Sequence, residues 1–560
     1  MRGTVNRAAG RPPPAAIPHY NPGMTPLVAA LLSAFIPGAL WEAWPAHRFV
    51  PTPAPCLRHA ELVERLAVLE AKHRGRLRLE EAGRSAEGRA IMLLTVGHGP
   101  RRVLLWSQMH GDEPSATPAL LDLADFLLTR ADDPDARRVL EGATLFMIPM
   151  LNPDGADRYQ RRNAQEIDIN RDALVLATPE GRILKEARDH LRPELGFNLH
   201  DMSRRTTVGS TGVLATIALL AVAGDPAGTI TPGRLRAKRA CSAIVRALEP
   251  FVPGGIGRYD EDWSPRAFGD NLTAWGTPVV LIETGGLPGR PPTDLTRLHF
   301  VALLSALHDL VRDDLAGHDP AVYDSLRRTD TGSWADVVLG GGSVLQPGIE
   351  RPFRADVAFN RLGSDRDRSG CAAGGDGGSA IVEVGDSRQL GTARRVDVSG
   401  DLVAPAFVAS VHGTAAAGWL TPAALEALGR LGVGTVRWHV PGGEVARATA
   451  EARARAKGRA PRIQVESDAE SSPLRLVGPP RNPVSRSLGD VLDALAGAPG
   501  RELARSRSVD DLLGQLTSTP EAPPPRIAPG AAATLVLLRP DAASDLRLES
   551  VWIDGEELRP

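Results

Sequence analysis

His110 and Glu113 form an H-x-x-E motif where an apolar run ends and a helical pattern begins. An imidazole and a carboxylate at this spacing can meet at one metal ion, and zinc accepts both as ligands. A catalytic zinc site uses three protein ligands and keeps its fourth position for water, so a third ligand should follow. His200 ends the mostly apolar run Leu195–Leu199, and open α/β sheets carry their sites at the carboxyl ends of strands. The alternatives are a polar surface turn for the motif and a hydrogen-bonded, half-buried imidazole for His200.

Glu283 is a single carboxylate that follows four aliphatic residues, Val279–Ile282. An isolated buried carboxylate costs several kcal/mol unless it is paired or protonated, so Glu283 needs a partner or a chemical role. A carboxylate that faces a zinc-bound water can take its proton and pass it to a leaving amine. A salt bridge or a cap at the strand end is the alternative.

Arginines cluster after the turn sequence N-P-D-G of residues 152–155. Arg158, Arg161 and Arg162 come first, and the D-x-N-R sequence of residues 168–171 follows. Guanidinium groups beside a metal suit anions, because arginine binds a carboxylate in bidentate fashion and can stabilise a tetrahedral oxyanion. For Arg162, a solvated basic surface is the preferred interpretation.

These motifs, in this order and with a later tyrosine, resemble the zinc carboxypeptidases of the carboxypeptidase A type over about residues 56–315. The resemblance implies one zinc ion per chain, held by His110, Glu113 and His200, with Glu283 as the general base and acid. Glu166 departs from the pattern, because such proteins often have glycine just before the D-x-N-R sequence.

The same resemblance assigns the substrate contacts. It implies an oxyanion-stabilising role for Arg161, a secondary contact for Arg158, recognition of the terminal carboxylate by Asn170 and Arg171, and a mobile cover for Tyr259. The loop between Tyr259 and Glu283 should line the pocket for the last side chain. Arg266 in that loop would favour an acidic terminal residue. Alternatively, Arg266 pairs with Asp262 or Asp270 and contacts no substrate.

Alternating helical and strand patterns must position these residues. Apolar residues at helical spacing predict helices at 59–73, 117–129 and 298–310, and short apolar runs predict strands at 91–96, 102–106, 144–149, 196–199 and 278–282. This alternation predicts an α/β fold, with a mixed, mostly parallel sheet flanked by helices. The catalytic domain is predicted at residues 56–318, after a poorly ordered or processed lead-in at 1–55.

Composition excludes several classes of partner. The chain of 560 residues has 65 Lys and Arg against 67 Asp and Glu, a formal net charge of −2, so we expect neither nucleic acid nor an acidic membrane as a partner. The apolar run Leu27–Leu40 contains Pro37 and is shorter than the roughly 20 residues of a spanning helix. We therefore expect a soluble protein, cytoplasmic rather than exported.

The region after residue 330 has a different pattern, with short strands separated by Gly, Asp and Ser. Residues 332–413 resemble the amino-terminal part of amidohydrolases, and the last strands resemble the returning strands of the same β-sandwich. Here His412 and His439 are the only histidines, too few for a binuclear metal site. The prediction is a mainly β, sandwich-like domain at 330–560, split by a reduced insert at about 414–525 and catalytically inactive.

The sequence thus predicts a zinc-dependent metallocarboxypeptidase that acts on peptides with a free C-terminus. Two alternatives stay open at this stage. One is a zinc-dependent amidase or deacylase of small acylated amino acids, and the other is a non-catalytic peptide-binding protein.

Overall fold

The computed structural model describes residues 36–50, 56–259, 262–344, 352–361 and 379–400, together with short separate segments beyond residue 400. An eight-stranded sheet in the order β1-β2-β4-β3-β5-β9-β7-β8 forms the first layer. Its strands are β1 Leu77–Arg84, β2 Ala90–Gly97, β3 Arg101–Ser107, β4 Ala143–Ile148, β5 Leu195–Asp201, β7 Ile217–Ala221, β8 Ile256–Arg258 and β9 Val279–Thr284.

Parallel pairing dominates the centre of this sheet. Strand β3 runs parallel to β4 and β5, β5 runs parallel to β9, and β7 runs parallel to β8. The β1·β2, β2·β4 and β7·β9 pairs are antiparallel. Strands β5 and β9 are buried along their whole length, as expected for central strands covered on both faces. The prediction of a mixed, mostly parallel sheet flanked by helices is confirmed.

Helices cover both faces of the sheet, and the three predicted helices are present. The helices are α1 Pro37–Ala43, α2 His59–Lys72, α3 Ala116–Thr129, α4 Pro134–Gly142, α5 Pro153–Arg158, α6 Pro179–Leu191, α7 Pro232–Leu248, α8 Phe268–Ala274, α9 Thr293–Val311 and α10 Pro320–Asp324. Several begin with a proline after a capping side chain: Thr178 accepts a hydrogen bond from the Gly181 backbone and Thr231 from that of Arg234. Helices α3, α7 and α9 bury their apolar sides in the main hydrophobic core.

Residues 36–50 pack onto the core beside the first sheet, so the expectation of a poorly ordered lead-in is wrong for this part of 1–55. Leu40, Trp41 and Trp44 are buried in the main core. The Asp122 carboxylate on α3 accepts hydrogen bonds from Trp44 Nε1 and from the Phe49 backbone, both at 2.9 Å. Aromatic burial outweighs the Pro-rich character that suggested disorder. Residues 1–35 and 51–55 lie outside the described residues.

A second sheet lies beyond residue 330, in the order β13-β12-β11-β15-β20-β21-β22, with β14 paired to β11. Its strands are β11 Trp334–Val344, β12 Phe353–Arg361, β13 Ser379–Gly385, β14 Gly391–Asp397, β15 Leu402–Pro405, β20 Leu535–Pro540, β21 Leu546–Ile553 and β22 Glu556–Leu558. Strand β15 pairs with β20, so strands from both sides of the predicted insert share one sheet.

Four further strands form a separate small sheet in the order β18-β17-β16-β19. They are β16 Phe407–His412, β17 Val433–Pro441, β18 Arg462–Asp468 and β19 Arg475–Leu476. Residues 421–431 and 488–495, whose patterns predict helices, lie outside the described residues. The domain boundaries, the amidohydrolase resemblance and the lack of catalysis in this region stay predictions.

The two regions are joined by backbone pairing and by a buried ion pair. Strand β6, Thr207–Val208, pairs antiparallel with β10, Thr329–Asp330. Next to it, Arg205 binds the Asp336 carboxylate through Nε at 3.2 Å and Nη2 at 2.7 Å. Among the helices of the described residues, none combines the length and the apolar character needed to cross a membrane.

Candidate metal centre and catalytic site

Three side chains converge at the carboxyl ends of β3 and β5. His110 and Glu113 lie in the turn between β3 and α3, and His200 lies on β5. The Nδ1 atom of His110 is 2.9 Å from one Glu113 oxygen, and Nδ1 of His200 is 2.6 Å from the other. The two Nδ1 atoms are 3.1 Å apart, and all three residues are buried. The described residues contain one such group of possible metal ligands, and it is the predicted triad.

The turn that carries His110 and Glu113 is held by the N-P-D-G segment. Gln108, just before the motif, has a φ of 52°, and its side chain bonds the Gly111 carbonyl and the Thr117 hydroxyl. The Asn152 backbone donates to the Gln108 carbonyl at 3.0 Å. Gly111 lies so close to Gly155 that an added Cβ would come within 2.0 Å of the Gly155 backbone. The small residues of both turns therefore permit the contact that sets the position of the motif.

Asp168, the first residue of the D-x-N-R sequence, is a site residue to which the sequence analysis gave no role. Its Oδ1 atom lies 3.1 Å from Nε2 of His110. This contact orients the ring and leaves Nδ1 directed at the other two ligands. Its position at the start of the D-x-N-R motif was the available signal, but a contact across 58 residues cannot be read from local spacing.

The buried charges change one another's titration. Burial disfavours a charged imidazole, but the Glu113 and Asp168 carboxylates outweigh it and raise the pKa of His110 to about 9. Burial likewise opposes ionisation of Glu113, yet the adjacent imidazoles hold its pKa well below the usual range. Burial lowers the pKa of His200. These shifts favour an ionised Glu113 carboxylate between a positively charged His110 ring and a neutral His200 ring.

Asp201 ties three elements together beside His200. Its carboxylate accepts hydrogen bonds from the Ser115 and Thr284 hydroxyls and from the Ser115 backbone. Its own backbone N–H donates to Glu113 at 3.3 Å. The ends of β5 and β9 and the start of α3 are therefore linked by polar contacts directly behind the triad.

Glu283 lies on the strand next to the triad. In the parallel pairing of β5 with β9, Glu283 is in register with His200. Residues in register on adjacent strands project from the same face of a sheet, so both side chains lie on the side of the triad. The Glu283 side chain is largely buried, at 6% relative exposure.

Arg161 lies against the triad from the opposite loop. Its Nη1 atom is 3.1 Å from His110 Nδ1 and 3.4 Å from Glu113. Its Nε donates to Asp168 at 3.0 Å. The structure thus brings together His110, Glu113, His200, Arg161 and Asp168, with Glu283 on the adjoining strand.

Comparison with known proteins agrees with this arrangement. Residues 62–178, which include the H-x-x-E motif, the arginine cluster and Asp168, match the sequence profile of the zinc carboxypeptidase family. Over this segment the chain is therefore similar to the zinc carboxypeptidases. His200 and Glu283 lie beyond the matched segment and join the site through the fold.

Individual relatives are similar over the same part of the chain. A probable carboxypeptidase 2 of Trichophyton verrucosum (strain HKI 0517) is 32% identical over 111 residues, which cover 20% of this chain and 21% of the relative. Carboxypeptidase D of Drosophila melanogaster is 30% identical over 132 residues, covering 20% and 9%. The chain thus spans about a fifth of the first relative's length and less of the second's.

Solved structures match a larger part of the chain at lower identity. A metallo-carboxypeptidase from Burkholderia cenocepacia is 20% identical, with a TM-score of 0.37, covering 45% of this chain and 69% of that one. A carboxypeptidase A from Helicoverpa armigera is 16% identical, with a TM-score of 0.35, covering 47% and 73%.

Arg158, the predicted secondary contact, is paired outside the triad. Its Nη2 bonds Glu87 in the loop between β1 and β2. Arg89 from the same loop bonds Glu87 and also reaches Asp154 at 2.7 Å. In this structure, Arg158 therefore joins α5 to the β1–β2 loop.

Arg171 and Arg266 line a cavity beside Asp168, and Asn170 lies next to Arg171 in the chain. The Phe268 backbone donates to Asn170 Oδ1 at 2.9 Å, and the Ala173 backbone donates to the Arg266 carbonyl at 3.2 Å. These two bonds fasten the D-x-N-R loop to the segment before α8. The cavity has a volume of about 400 Å³ and is lined by Arg162, Glu166, Ile167, Asp168, Arg171 and Arg266.

Glu166 keeps the turn that glycine often provides at this position. Its φ is 58°, in the left-handed region, and its backbone N–H donates to the Asn163 carbonyl at 3.0 Å. The departure from the family pattern therefore places a carboxylate at the cavity without changing the direction of the chain.

Tyr259 is half-buried at the end of β8. Its backbone N–H donates to Leu219 at 3.0 Å, and its ring packs against the cluster that includes Met202 and Ala218. Residues 260–261, which follow it, lie outside the described residues. The role of Tyr259 as a mobile cover stays a prediction.

Proposed function

We propose that this protein is a zinc-dependent metallocarboxypeptidase that hydrolyses the C-terminal peptide bond of peptides. The observation that carries the proposal is the buried triad of His110, Glu113 and His200, whose donor atoms lie within 4.8 Å of one another. The similarity of residues 62–178 to the zinc carboxypeptidase family supports the same activity.

The donor set fits a catalytic zinc ion. Two imidazole nitrogens and one carboxylate make three protein ligands, which leaves a coordination position open. Asp168 holds Nε2 of His110, so the Nδ1 atom is the one that faces the ion. Bound here, one zinc ion per chain would polarise the scissile carbonyl and lower the pKa of a water molecule beside it.

The protein's own residues carry the remaining chemistry. Glu283 takes a proton from the attacking water and transfers it to the nitrogen of the departing residue. Arg161 donates hydrogen bonds to the carbonyl oxygen as negative charge develops there. In this role, the Arg161 side chain turns away from His110 and towards the substrate. A bound zinc ion would favour this movement, because it would repel the guanidinium.

The terminal carboxylate of the substrate belongs to the departing residue, and in this proposal Arg171 and Asn170 bind it. Arg171 presents its guanidinium at the cavity, and Asn170 uses Oδ1 for the Phe268 backbone, which leaves its amide hydrogens for substrate. Arg266 lines the same cavity as a contact to the last side chain. In this proposal Tyr259 covers the bound residue, and Arg158 makes a secondary contact once it leaves Glu87.

The test is to incubate the zinc-loaded full-length chain with a mixed peptide library and to identify truncations by mass spectrometry. We expect loss of single C-terminal residues. Chelation should abolish it, and Glu283→Gln should slow it by roughly 10²- to 10⁴-fold while the chain still binds zinc. If the zinc-loaded chain leaves every peptide intact, the proposal is wrong, and acylated amino acids are the next substrates to test.

A further inference from the structure

The cavity beside Asp168 carries an excess of positive charge. Three of its six lining residues are arginines, Arg162, Arg171 and Arg266, and two are acidic. Asp168 is already engaged by His110 and by Arg161. Glu166 is therefore the one lining carboxylate in this cavity whose charge is not balanced by those contacts.

The three guanidinium groups differ in what they already bind. Arg162 Nη1 donates to the Glu166 carbonyl at 2.9 Å, and Arg171 Nη1 donates to the Asn170 carbonyl at 2.8 Å. Within the described parts of the chain, the Arg266 side chain forms no ion pair or hydrogen bond. The alternative that Arg266 pairs with Asp262 or Asp270 therefore finds no support in this structure.

The position of Arg266 is set by backbone contacts. Its carbonyl accepts from Ala173, two residues after Arg171, and Phe268 is bonded to Asn170. Asp270 accepts from the Ser264 backbone at 2.8 Å and so tightens the same loop. Arg266 is thus held at the same cavity as Arg171, on a loop with several fixed points.

We propose that this cavity selects a C-terminal residue with a second carboxylate, aspartate or glutamate. The inference rests on the proposed carboxypeptidase function and names its substrate class. Arg171 binds the terminal carboxylate, and Arg266, with Arg162 at the rim, binds the side-chain carboxylate. A guanidinium without a protein partner gains charge-assisted hydrogen bonds from such a group, whereas an amide or apolar side chain leaves the excess charge unbalanced. A volume of about 400 Å³ holds a residue of this size.

Glu166 acts in the opposite direction. Its carboxylate lines the same cavity and repels an acidic side chain, which limits how tightly the cleaved residue is held. Its backbone is in a conformation that costs a non-glycine residue energy, which is a feature often kept at functional sites. Removing this charge should therefore raise the acidic preference, and removing Arg266 should lower it.

The experiment compares kcat/KM for two peptides that differ only in a terminal Glu or Gln, using the zinc-loaded full-length chain. We expect the wild type to prefer Glu by roughly 10- to 100-fold. Arg266→Gln should reduce this ratio to near one, and Glu166→Gln should increase it. Arg76→Gln, which removes the same charge from the exposed turn before β1, should leave the ratio unchanged.

The outcomes separate this inference from the function on which it rests. If the wild type cleaves the Gln peptide as well as the Glu peptide, the acidic preference is wrong and the carboxypeptidase function stands. If neither peptide is cleaved, calorimetry with N-acetylglutamate and N-acetylglutamine decides the inference by binding alone. Tighter binding of the glutamate, lost in Arg266→Gln, supports the cavity's selectivity, and equal binding overturns it.

Discussion

Asp168 links the candidate metal ligands to the arginine cluster. One of its oxygens contacts His110 and the other accepts from Arg161, so one carboxylate orients both residues. Arg161 and His110 together hold the pKa of Asp168 below its usual range even though burial opposes this, and the group stays ionised at neutral pH. A carboxylate in this position increases the basicity of the ligand imidazole and fixes its ring.

We expect Asp168→Ala to weaken zinc binding by roughly 10- to 100-fold, because His110 loses the contact that orients it. The measurement is zinc affinity by competition with a chromophoric chelator, in the full-length chain. Asp157→Ala is the matched control, since Asp157 lies in the same region but bonds Arg89 and the His59 backbone rather than a metal ligand. Unchanged affinity in a folded Asp168→Ala protein would contradict the role given to this carboxylate.

At the scale of single elements, helix α9 contains a buried polar side chain whose ring nitrogens have no hydrogen-bond partner among the described residues. This side chain is His299, which is fully buried. Desolvation lowers the pKa of His299 to about 3. The folded protein therefore holds the neutral ring, while the unfolded chain protonates it below its ordinary pKa of about 6.5.

The sign of the pH effect follows from this difference. Above pH 6.5 the ring is neutral in both states, so it adds no pH dependence there. As the pH falls from 6.5 towards 3, the unfolded chain takes up a proton that the folded chain excludes. The free energy of unfolding should then decrease by about 1.4 kcal/mol per pH unit from this residue.

His299→Leu should remove that slope and also raise stability at neutral pH by about 1–3 kcal/mol, because two buried polar atoms disappear. Urea unfolding at pH 7.5 and pH 5 measures both effects. His190→Leu, at an exposed position near the end of α6, should leave the difference between the two pH values unchanged. If wild type and His299→Leu lose equal stability between these pH values, the buried neutral state of His299 is wrong.

At the scale of the whole molecule, the second β region is attached close to the candidate metal site. Arg205 follows His200 by five residues, and its partner Asp336 lies on β11. Both side chains are about 90% buried. The pairing of β6 with β10 lies alongside. A charged residue of the second region thus stabilises the loop that follows β5 and His200.

We expect Asp336→Ala to destabilise the protein by about 3–5 kcal/mol, because it removes the carboxylate that the buried Arg205 guanidinium binds. Replacing both residues, Arg205→Met with Asp336→Ala, should recover much of this loss. Urea unfolding of both variants provides the measurement. Asp386→Ala removes an exposed ion pair with Arg388 and should have little effect. A double variant as unstable as the single one would show that the pair is not what joins the regions.

Much of the site could be predicted from sequence, because its residues occupy positions defined locally. His110 follows an apolar strand, His200 and Glu283 lie at the ends of two others, and the carboxyl ends of neighbouring parallel strands lie at one edge of a sheet. Alternation of apolar runs and helical spacing likewise predicted the mixed sheet and its flanking helices. These features depend on side-chain period and strand direction, which a single sequence contains.

The tertiary structure alone decided the contacts between distant segments. Asp168 reaches His110 across 58 residues, Arg205 reaches Asp336 across 131, and Arg158 pairs with Glu87 across 71. Trp44 binds Asp122 on α3 and so brings residues 36–50 into the fold. No local period selects among the many charged or polar partners that a sequence offers. The pairing of such groups is determined by which of them the packed elements bring within hydrogen-bonding distance and remove from water.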